Sequence, residues 1–309
     1  MSIFDYENGF PGLIKRDPNG NKGTFGRVCI IAGSINMNGA AYLSAMAALR
    51  VGTGLVEIYT VEDNLIPLKV LIPEAIIKTY RASEFLEMTA EFADRFEHYL
   101  NHLDCVVLGP GLSTESYAKK LTEFVLKKCR TNLVIDADAI NIIAASDELT
   151  LALDNDRFNE VNKAKRSLAV TPHAKELSRL THTLVEEVIY CHEEVCSELT
   201  KYLNIIVVGK GCKPNKYNTA AKSIVCFRED MYENVTGSNA LATAGSGDIL
   251  SGIIGGLCAQ GEQLFEACTK GVYIHGLCGE FAGEKLGNRS VIARDILDAL
   301  PEVLKSLED

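Results

Sequence analysis

The chain has 309 residues, of which 47% are hydrophobic, and this is enough for one large domain with a sizeable core. Its formal net charge of −10 argues against nucleic-acid binding as the main function, although local basic groups and helix ends can still hold anionic substrates. Tryptophan is absent and aromatic residues make up only 7% of the chain, so we do not expect a base-stacking platform.

Short apolar strands alternate with helices along the chain. Residues 1–22 are predicted to form an N-terminal arm. The predicted strands are 27–33, 55–60, 105–108, 132–136, 168–172, 204–208 and 223–227, and the predicted helices are 39–50, 117–129, one from about 174, 184–203, and those after 247. Strands that are apolar throughout are typical of a parallel sheet buried on both faces. We therefore predict a single α/β domain over residues 1–309, with a doubly wound, mostly parallel sheet and helices on both faces.

Small or functional residues follow the predicted strands: Gly33, Gly109, Asp136, Thr171 and Lys210. Ligands of an open parallel sheet bind beyond the carboxyl ends of its strands, so the loops at these residues should share one edge and form one site. The chain has no G-x-x-x-x-G-K-[ST] loop, and its glycine-rich turns lack the third glycine of G-x-G-x-x-G. A conventional dinucleotide-binding dehydrogenase is therefore disfavoured.

The most informative segment is residues 236–256, TGSNALATAGSGDILSGIIGG. A glycine-rich turn that leads into a helix leaves backbone N–H groups unpaired, and these groups and the helix dipole predict an anion site. Asp248 would repel a bound phosphate, unless the carboxylate takes a proton from a hydroxyl that attacks the phosphoryl group. This is the arrangement of a small-molecule kinase. The alternative is an ordinary turn in which Asp248 caps the helix.

No signal peptide, membrane span or directly ligated metal is predicted. The first residues lack a basic region followed by an apolar stretch, and the longest apolar runs are too short to cross a bilayer. None of the ten cysteines forms a CxxC pair, which predicts reduced thiols in a cytoplasmic protein. Cys191, His192 and Cys196 lie close together but lack a fourth ligand.

Several motifs occur in one order along the chain: KGTFGRV (22–28), IAGS (31–34), GAA (39–41), ALRVGTGLV (48–56), GPGL (109–112), VIDADAIN (134–141), TPH (171–173) and ATAGSGD (242–248). Together they resemble the NAD(P)H-hydrate dehydratase family of the ribokinase-like superfamily. The resemblance implies a ribokinase-like fold and the dehydration of hydrated NADH or NADPH (NADHX, NADPHX), with ADP or ATP as phosphoryl donor and Mg²⁺ as cofactor. Phosphorylation converts hydroxide, a poor leaving group, into phosphate, a good one.

The resemblance also implies roles for individual residues. Asp248 is implied as the catalytic carboxylate that contacts the substrate hydroxyl. The implied nucleotide contacts are Lys210, Gly211, Cys212, Lys213, Pro214, Gly245, Ser246 and Gly247. The implied substrate contacts are Gly39, Ala40, Ala41, Gly109, Gly111 and His173, together with Asp248. Asp136 and Asn141 are implied to shape the site or to hold a water-bound Mg²⁺. Three alternatives remain open, namely His173 as a helix cap, Asp136 and Asp138 as a helix start, and Lys210 as a solvated lysine.

The chain departs from the family pattern beside these motifs. Residues 174–176 read Ala-Lys-Glu where the family has Pro-Gly-Glu, and residues 237–241 read Gly-Ser-Asn-Ala-Leu where it has Gly-Asn-Pro-Gly-Met. Only about 20 residues precede the first motif, so we expect no N-terminal epimerase domain. The resemblance implies a separate epimerase as functional partner and a homo-oligomer, for which we expect a tetramer. The competing hypotheses are a ribokinase-like kinase of a small alcohol or vitamin precursor, and a non-catalytic nucleotide-binding regulator. Asp248 disfavours the regulator, which needs no base beside its phosphate site.

Overall fold

A ten-stranded sheet forms the centre of the computed structural model, which describes residues 2–211 and 222–308. The strands are β1 (Ser2–Phe4), β2 (Arg27–Ile31), β3 (Leu55–Val61), β4 (Ile76–Tyr80), β5 (Cys105–Leu108), β6 (Asn132–Ile135), β7 (Leu168–Val170), β8 (Ile206–Gly209), β9 (Ile224–Phe227) and β10 (Asp230–Glu233). Their spatial order is β1-β10-β9-β8-β7-β6-β5-β2-β3-β4. Strands β2 to β8 are parallel, and β9 is antiparallel to both of its neighbours.

Helices cover both faces of this sheet. They are α1 (Asn38–Arg50), α2 (Leu65–Leu71), α3 (Ala82–Leu86), α4 (Ala90–Leu100), α5 (Ser116–Lys128), α6 (Ala137–Ala144), α7 (Asp147–Leu151), α8 (Asn155–Asn162), α9 (Ala174–Thr181), α10 (Val185–Tyr190), α11 (His192–Leu203), α12 (Ser246–Ala259), α13 (Leu264–Leu286) and α14 (Ala293–Glu308). Val28 and Ile30 of β2 pack with α1, α12, α13 and α14, while Cys29 and Ile31 pack on the opposite face with α4, α5 and α6. The predicted doubly wound sheet is confirmed. In the part of the chain that the structure describes, no helix is long and apolar enough to span a bilayer.

The order of the strands reverses between β2 and β5, because β3 and β4 extend the sheet in one direction and β5 to β8 in the other. Parallel strands place their carboxyl ends at one edge, so Asp136, Thr171 and Lys210, which follow β6, β7 and β8 in space, are brought together. An isolated bridge between His173 and Lys210 extends the pairing of β7 and β8 beyond the strands. The sheet therefore builds the candidate site at this edge.

Two predicted elements differ from the structure. The prediction of one helix over residues 184–203 is wrong: α10 and α11 are separated at Cys191, whose φ of −114° and ψ of 37° are not helical. The break lets α11 begin with the buried His192, which packs so closely on β8 that a Cβ atom at Gly209 would lie 2.5 Å from its Nε2. The predicted N-terminal arm contains a strand, since Ser2–Phe4 pairs in parallel with β10 at the edge of the sheet.

Helices α1 and α12 pack through a glycine. A Cβ atom at Gly252 would overlap the main-chain carbonyl of Ser44, so the two helix backbones approach as closely as contact allows. Gly252 thus faces a neighbouring helix, and its missing side chain makes room for that helix. The position of α12, and of the turn that precedes it, therefore depends on this glycine.

We expect Gly252→Ala to lower the free energy of unfolding by about 2 kcal/mol, because the added methyl group forces α12 away from α1. Urea denaturation followed by circular dichroism measures the change. Gly39→Ala is the matched control, since no atom lies within 4 Å of a Cβ there and alanine is the better helix former. Equal stability of the wild type and Gly252→Ala would contradict this account.

Candidate active site

Lys210 lies among carboxylates beyond the carboxyl ends of β6, β7 and β8. Its Nζ donates a hydrogen bond of 2.8 Å to Oδ1 of Asp136 and lies 4.0 Å from Oε2 of Glu176. The same oxygen of Asp136 accepts a hydrogen bond of 2.6 Å from Oγ1 of Thr171. Asp136 is only 1% exposed, so the ammonium group, rather than water, balances its charge. The predicted convergence of these strand ends is confirmed, and Lys210 is ion-paired rather than merely solvated.

Two carboxylates near this pair have pKa values close to neutrality. Burial raises the pKa of Asp248 to about 7, Asp136 raises it as well, and Lys210 opposes them. Burial likewise raises the pKa of Glu176 to about 7, against the effect of Lys210. Burial alone would lower the pKa of Lys210, but Asp136, Glu176 and Asp248 raise it above its usual value. The site thus keeps a permanent cation beside two groups that can change charge near pH 7.

The turn before α12 has the open backbone donors that the sequence predicts. Gly245 adopts a φ of +90°, and its carbonyl accepts the first helical hydrogen bond, from the N–H of Ile249 at 3.2 Å. The N–H of Ser246 donates to the carbonyl of Thr243 at 3.3 Å. Among the described residues, the N–H groups of Gly247 and Asp248 have no acceptor. These two donors lie at the positive end of a 14-residue helix and form a candidate anion site.

Asp248 occupies the first turn of α12, but no side chain caps this helix. The alternative reading of Asp248 as a helix cap therefore does not describe the structure. The carboxylate is held in a partly buried position in which its charge is disfavoured, and this costs stability. Carboxylates with such raised pKa values are typical of functional sites. Such a group is a candidate general base.

A cleft of about 610 Å³ opens beside this turn. Five of the predicted site residues line it: His173, Lys210, Gly211, Ser246 and Gly247. Residues 236–239 and 241–243, together with part of α13, form another part of its wall. Cys212, Lys213 and Pro214, predicted to contact the nucleotide, lie outside the residues that the structure describes. The cleft has the size and the polar end expected of a nucleotide site.

Apart from His173 and Asp248, the predicted substrate residues lie at the start of α1 and in the loop that follows β5. A Cβ atom at Gly109, whose φ is +123°, would collide with the carbonyl of Asp136, and one at Gly111 would lie 2.8 Å from Cβ of Ala40. These glycines therefore bring the end of β5 against β6 and α1. Ala40 and Ala41 are buried, at 5% and 0% exposure, whereas Gly39 faces open space. Of the three predicted contacts on α1, Gly39 is the one with room for a ligand beside it.

His173 caps helix α9 and also lines the cleft. Its Nδ1 accepts hydrogen bonds from the N–H groups of Lys175 at 3.1 Å and Glu176 at 3.2 Å, while Oε2 of Glu176 accepts the N–H of His173 at 2.9 Å. Burial, followed by the charge of Lys210, lowers the pKa of His173, so the ring is neutral at pH 7. The alternative reading as a helix cap is confirmed, and a substrate contact through the remaining nitrogen stays a prediction.

Three residues are informative for different reasons. Glu176 is part of the Lys210 cluster, and its spacing of three residues from His173 is the capping-box signal that could have revealed it. His275 of α13 lies with its Nε2 3.0 Å from Oγ of Ser246, and nothing in its local sequence distinguishes it from a core residue. Asn141 accepts a hydrogen bond of 2.6 Å from Arg179 on the helix surface and does not join the cluster.

The fit to Mg²⁺ rests on the carboxylates. Within residues 2–211 and 222–308, no group of three or more His, Cys, Asp and Glu side chains is arranged to hold a metal ion. Mg²⁺ often uses one or two carboxylates and completes its shell with phosphate oxygens and water. Asp136 and Asp248 are close enough for Asp136 to raise the pKa of Asp248, and both are near the anion site. These residues fit an ion held mainly by nucleotide phosphates and water.

Comparison with known proteins identifies the fold and then the family. The fold is ribokinase-like: the structure of an ADP/ATP-dependent NAD(P)H-hydrate dehydratase from Bacillus subtilis, crystallised with ATP and Mg²⁺, superimposes with a TM-score of 0.78 at 28% identity and covers 96% of this chain and 95% of that one. The family model for NAD(P)H-hydrate dehydratase matches residues 28–302. The chain belongs to this family, as the motifs predict.

Two curated relatives show how much of such proteins the chain covers. An ADP-dependent (S)-NAD(P)H-hydrate dehydratase of Bacillus subtilis is 31% identical over 299 residues, which are 96% of this chain and 95% of the relative. A bifunctional NAD(P)H-hydrate repair enzyme of Moorella thermoacetica is also 31% identical, over 96% of this chain but 52% of its own length. The chain thus spans about half the length of its bifunctional relatives.

We expect Lys210→Met to lower the free energy of unfolding by about 3 kcal/mol, because the buried Asp136 loses its counter-charge. Equilibrium urea unfolding measures the loss. The double variant Lys210→Met with Asp136→Asn should recover a good part of it, since no unpaired charge is then buried. If Asp136→Asn destabilises the Lys210→Met variant as much as it destabilises the wild type, Lys210 does not balance the buried charge of Asp136.

Proposed function

We propose that this protein dehydrates hydrated NADH and NADPH to the intact cofactors at the expense of ADP or ATP. The observation that carries the proposal is the position of Asp248, a carboxylate with a pKa of about 7 that directly follows the open N–H of Gly247 at the start of α12. A base with this pKa is suited to take a proton at neutral pH. The names of the relatives and the ordered motifs support the hydrated cofactor as substrate.

In the proposed reaction, the N–H groups of Gly247 and Asp248 bind the phosphoryl group that is transferred, and Lys210 supplies positive charge next to them. A Cβ atom at Gly247 would lie 3.4 Å from Nζ of Lys210, so the ammonium group lies within contact range of this turn. Mg²⁺ bound with the nucleotide would neutralise charge on the phosphates. The donors are in place before the substrate arrives, which lowers the cost of organising charge in the transition state.

Asp248 accepts the proton of the ring hydroxyl while the hydroxyl oxygen forms a bond to phosphorus. At the same time, the bond from phosphorus to the nucleotide oxygen breaks. The lone pair of the ring nitrogen then expels phosphate, the carbon–oxygen bond breaks, and loss of a ring proton restores the double bond. ADP is converted to AMP, or ATP to ADP. We place the hydrated ring between Asp248 and the α1 side of the site, where Gly39 faces open space and Gly109 and Gly111 hold the neighbouring loop.

The wider setting of the reaction is also proposed. ADP is the expected donor, because the relative of similar length carries that dependence in its name. We further propose a cytoplasmic homo-oligomer, as a tetramer, that works with a separate epimerase supplying the reactive epimer of the substrate. These proposals rest on the family resemblance and on the cysteine content of the sequence.

Purified protein with Mg²⁺ and ADP should regenerate the absorbance band of reduced nicotinamide from hydrated NADH and release phosphate in equal amount. The reason is that each turnover transfers one phosphoryl group and then expels it. Parallel reactions with ATP and with hydrated NADPH define the donor and the cofactor. Phosphoryl transfer to a small alcohol or vitamin precursor, with hydrated cofactor left unchanged, would favour the ribokinase-like kinase instead.

Asp248→Asn should reduce turnover by roughly 10² to 10⁴, the usual effect of losing a general base. Nucleotide binding should survive or tighten, because the backbone donors remain and a like charge beside the phosphate is removed. In the wild type, turnover should rise with pH through about 7 and then level, because burial raises the pKa of Asp248 to about 7 and only the ionised carboxylate accepts a proton. Steady-state kinetics across pH and calorimetric titration with Mg·ADP measure both effects.

Asp138→Asn is the matched control. Its carboxylate accepts the N–H of Ser113 at 2.8 Å, a bond that an amide oxygen can replace, and it contributes to the raised pKa of Asp248. This variant should keep its turnover and move the rise in the pH profile slightly to lower pH. Wild-type turnover in Asp248→Asn would remove Asp248 from the chemistry and leave the turn as a binding loop.

A further inference from the structure

Ser246 has one donor left for a ligand. Its N–H is used by the carbonyl of Thr243 at 3.3 Å, whereas the N–H groups of the next two residues have no acceptor among the described residues. Ser246 nevertheless lines the cleft at the anion site. Any contribution of Ser246 to binding a phosphate must therefore come from its hydroxyl. The direction of that O–H bond decides whether an anion meets a proton or a lone pair.

The hydroxyl of Ser246 is held by His275. Nε2 of His275 lies 3.0 Å from Oγ of Ser246, and the two residues are 7% and 6% exposed. Burial lowers the pKa of His275 to about 4, so the ring is neutral at pH 7 and has one donor nitrogen and one acceptor nitrogen. If Ser246 donated to the ring, its oxygen would present only lone pairs to an anion. If Nε2–H donates to Ser246, the hydroxyl proton is free.

We propose that His275 is a positioning residue for the bound nucleotide: its Nε2–H donates to Oγ of Ser246 and thereby directs the Ser246 proton to the phosphoryl group held by the Gly247 and Asp248 N–H groups. This proposal rests on the proposed function only in requiring that the cleft bind a phosphorylated nucleotide. The Ser246 hydroxyl of α12 thereby becomes a third donor at the anion site, and His275 of α13 sets its direction.

Helix α13 also holds another part of the cleft wall, at residues 236 and 237. The main-chain carbonyl of Tyr273 accepts a hydrogen bond of 2.9 Å from Oγ1 of Thr236, and Oε1 of Glu280 accepts the N–H of Gly237 at 2.7 Å. One helix therefore fixes the wall and the Ser246 hydroxyl together. The direction of the Ser246 hydroxyl is therefore fixed by the fold before the nucleotide binds.

A double-mutant cycle tests the assignment. The wild type, Ser246→Ala, His275→Leu and the double variant are titrated with Mg·ADP by calorimetry. We expect each single variant to bind about tenfold more weakly, the usual loss for a hydrogen bond to a charged group, and the double variant to bind no more weakly than the singles. Losses that multiply to about a hundredfold would overturn the proposal. Wild-type affinity in Ser246→Ala would overturn it as well.

Two further variants separate positioning from packing. His275→Gln keeps an N–H donor and should recover most of the affinity for Mg·ADP that His275→Leu loses. If His275 had a purely structural role, the two variants would bind Mg·ADP equally weakly. Cys278→Ala, at a fully buried position one turn further along α13, loosens the helix without touching Ser246 and should bind Mg·ADP as the wild type does. Weakened binding in Cys278→Ala equal to that in His275→Leu would overturn the proposal.

Failure of this proposal is distinguishable from failure of the proposed function. A coupled cycle in a protein that leaves hydrated cofactor unchanged would support His275 as a positioning residue and refute the dehydratase. Additive losses in an active dehydratase would do the reverse.

Discussion

The pair formed by Lys210 and Asp136 is the interaction on which the site depends. A carboxylate that is almost wholly buried needs a counter-charge, and the ammonium group that supplies it comes from the end of a strand two positions away in the sheet. Thr171 from the strand between them bonds the same carboxylate oxygen. The three strand ends are therefore fixed relative to one another. Lys210 also limits the rise in pKa that burial causes at Glu176 and Asp248, and both carboxylates have pKa values of about 7.

The chemistry of the site is shaped by what surrounds Asp248 more than by the residue itself. Burial raises its pKa, and the N–H groups of the same turn attract the negative charge that the carboxylate repels. The turn keeps both properties because α12 cannot slide: Gly252 holds it against α1, and Gly245 packs on Leu43 of the same helix. The close packing of α12 on α1 thus fixes the geometry of the candidate anion site, and the core on both sides of the sheet offsets the stability lost by burying the charge of Asp248.

Much of the fold follows from local pattern. Strands such as 105–108 and 132–135 can be predicted from the sequence almost to the residue, because their buried positions are uniformly apolar. The edge strand β4 and the helices α2 and α3 are not predicted, because each is short and buries a single side chain. Helix α4 is not predicted either, although Phe92, Phe96 and Leu100 recur at helical spacing. In the site, Asp136 and Asp248 are visible as carboxylates beside strand ends and glycines. His275 is not, because its partner Ser246 is 29 residues away and only the packing of α13 on α12 brings them together.

The pairing of β1 has a consequence for the order in which the chain folds. Ser2 lies opposite Asp230, so the first strand of the sequence can join the sheet only when the hairpin of β9 and β10 exists. During synthesis the N-terminal segment must therefore wait, with Phe4, Tyr6 and Phe10 exposed, until more than two hundred residues have followed it. Once docked, these rings pack around Tyr232 and Tyr273, and Tyr273 belongs to the helix that forms one wall of the cleft. Docking of β1 thus completes the packing around one wall of the cleft, and a nascent chain without the hairpin of β9 and β10 has no finished cleft.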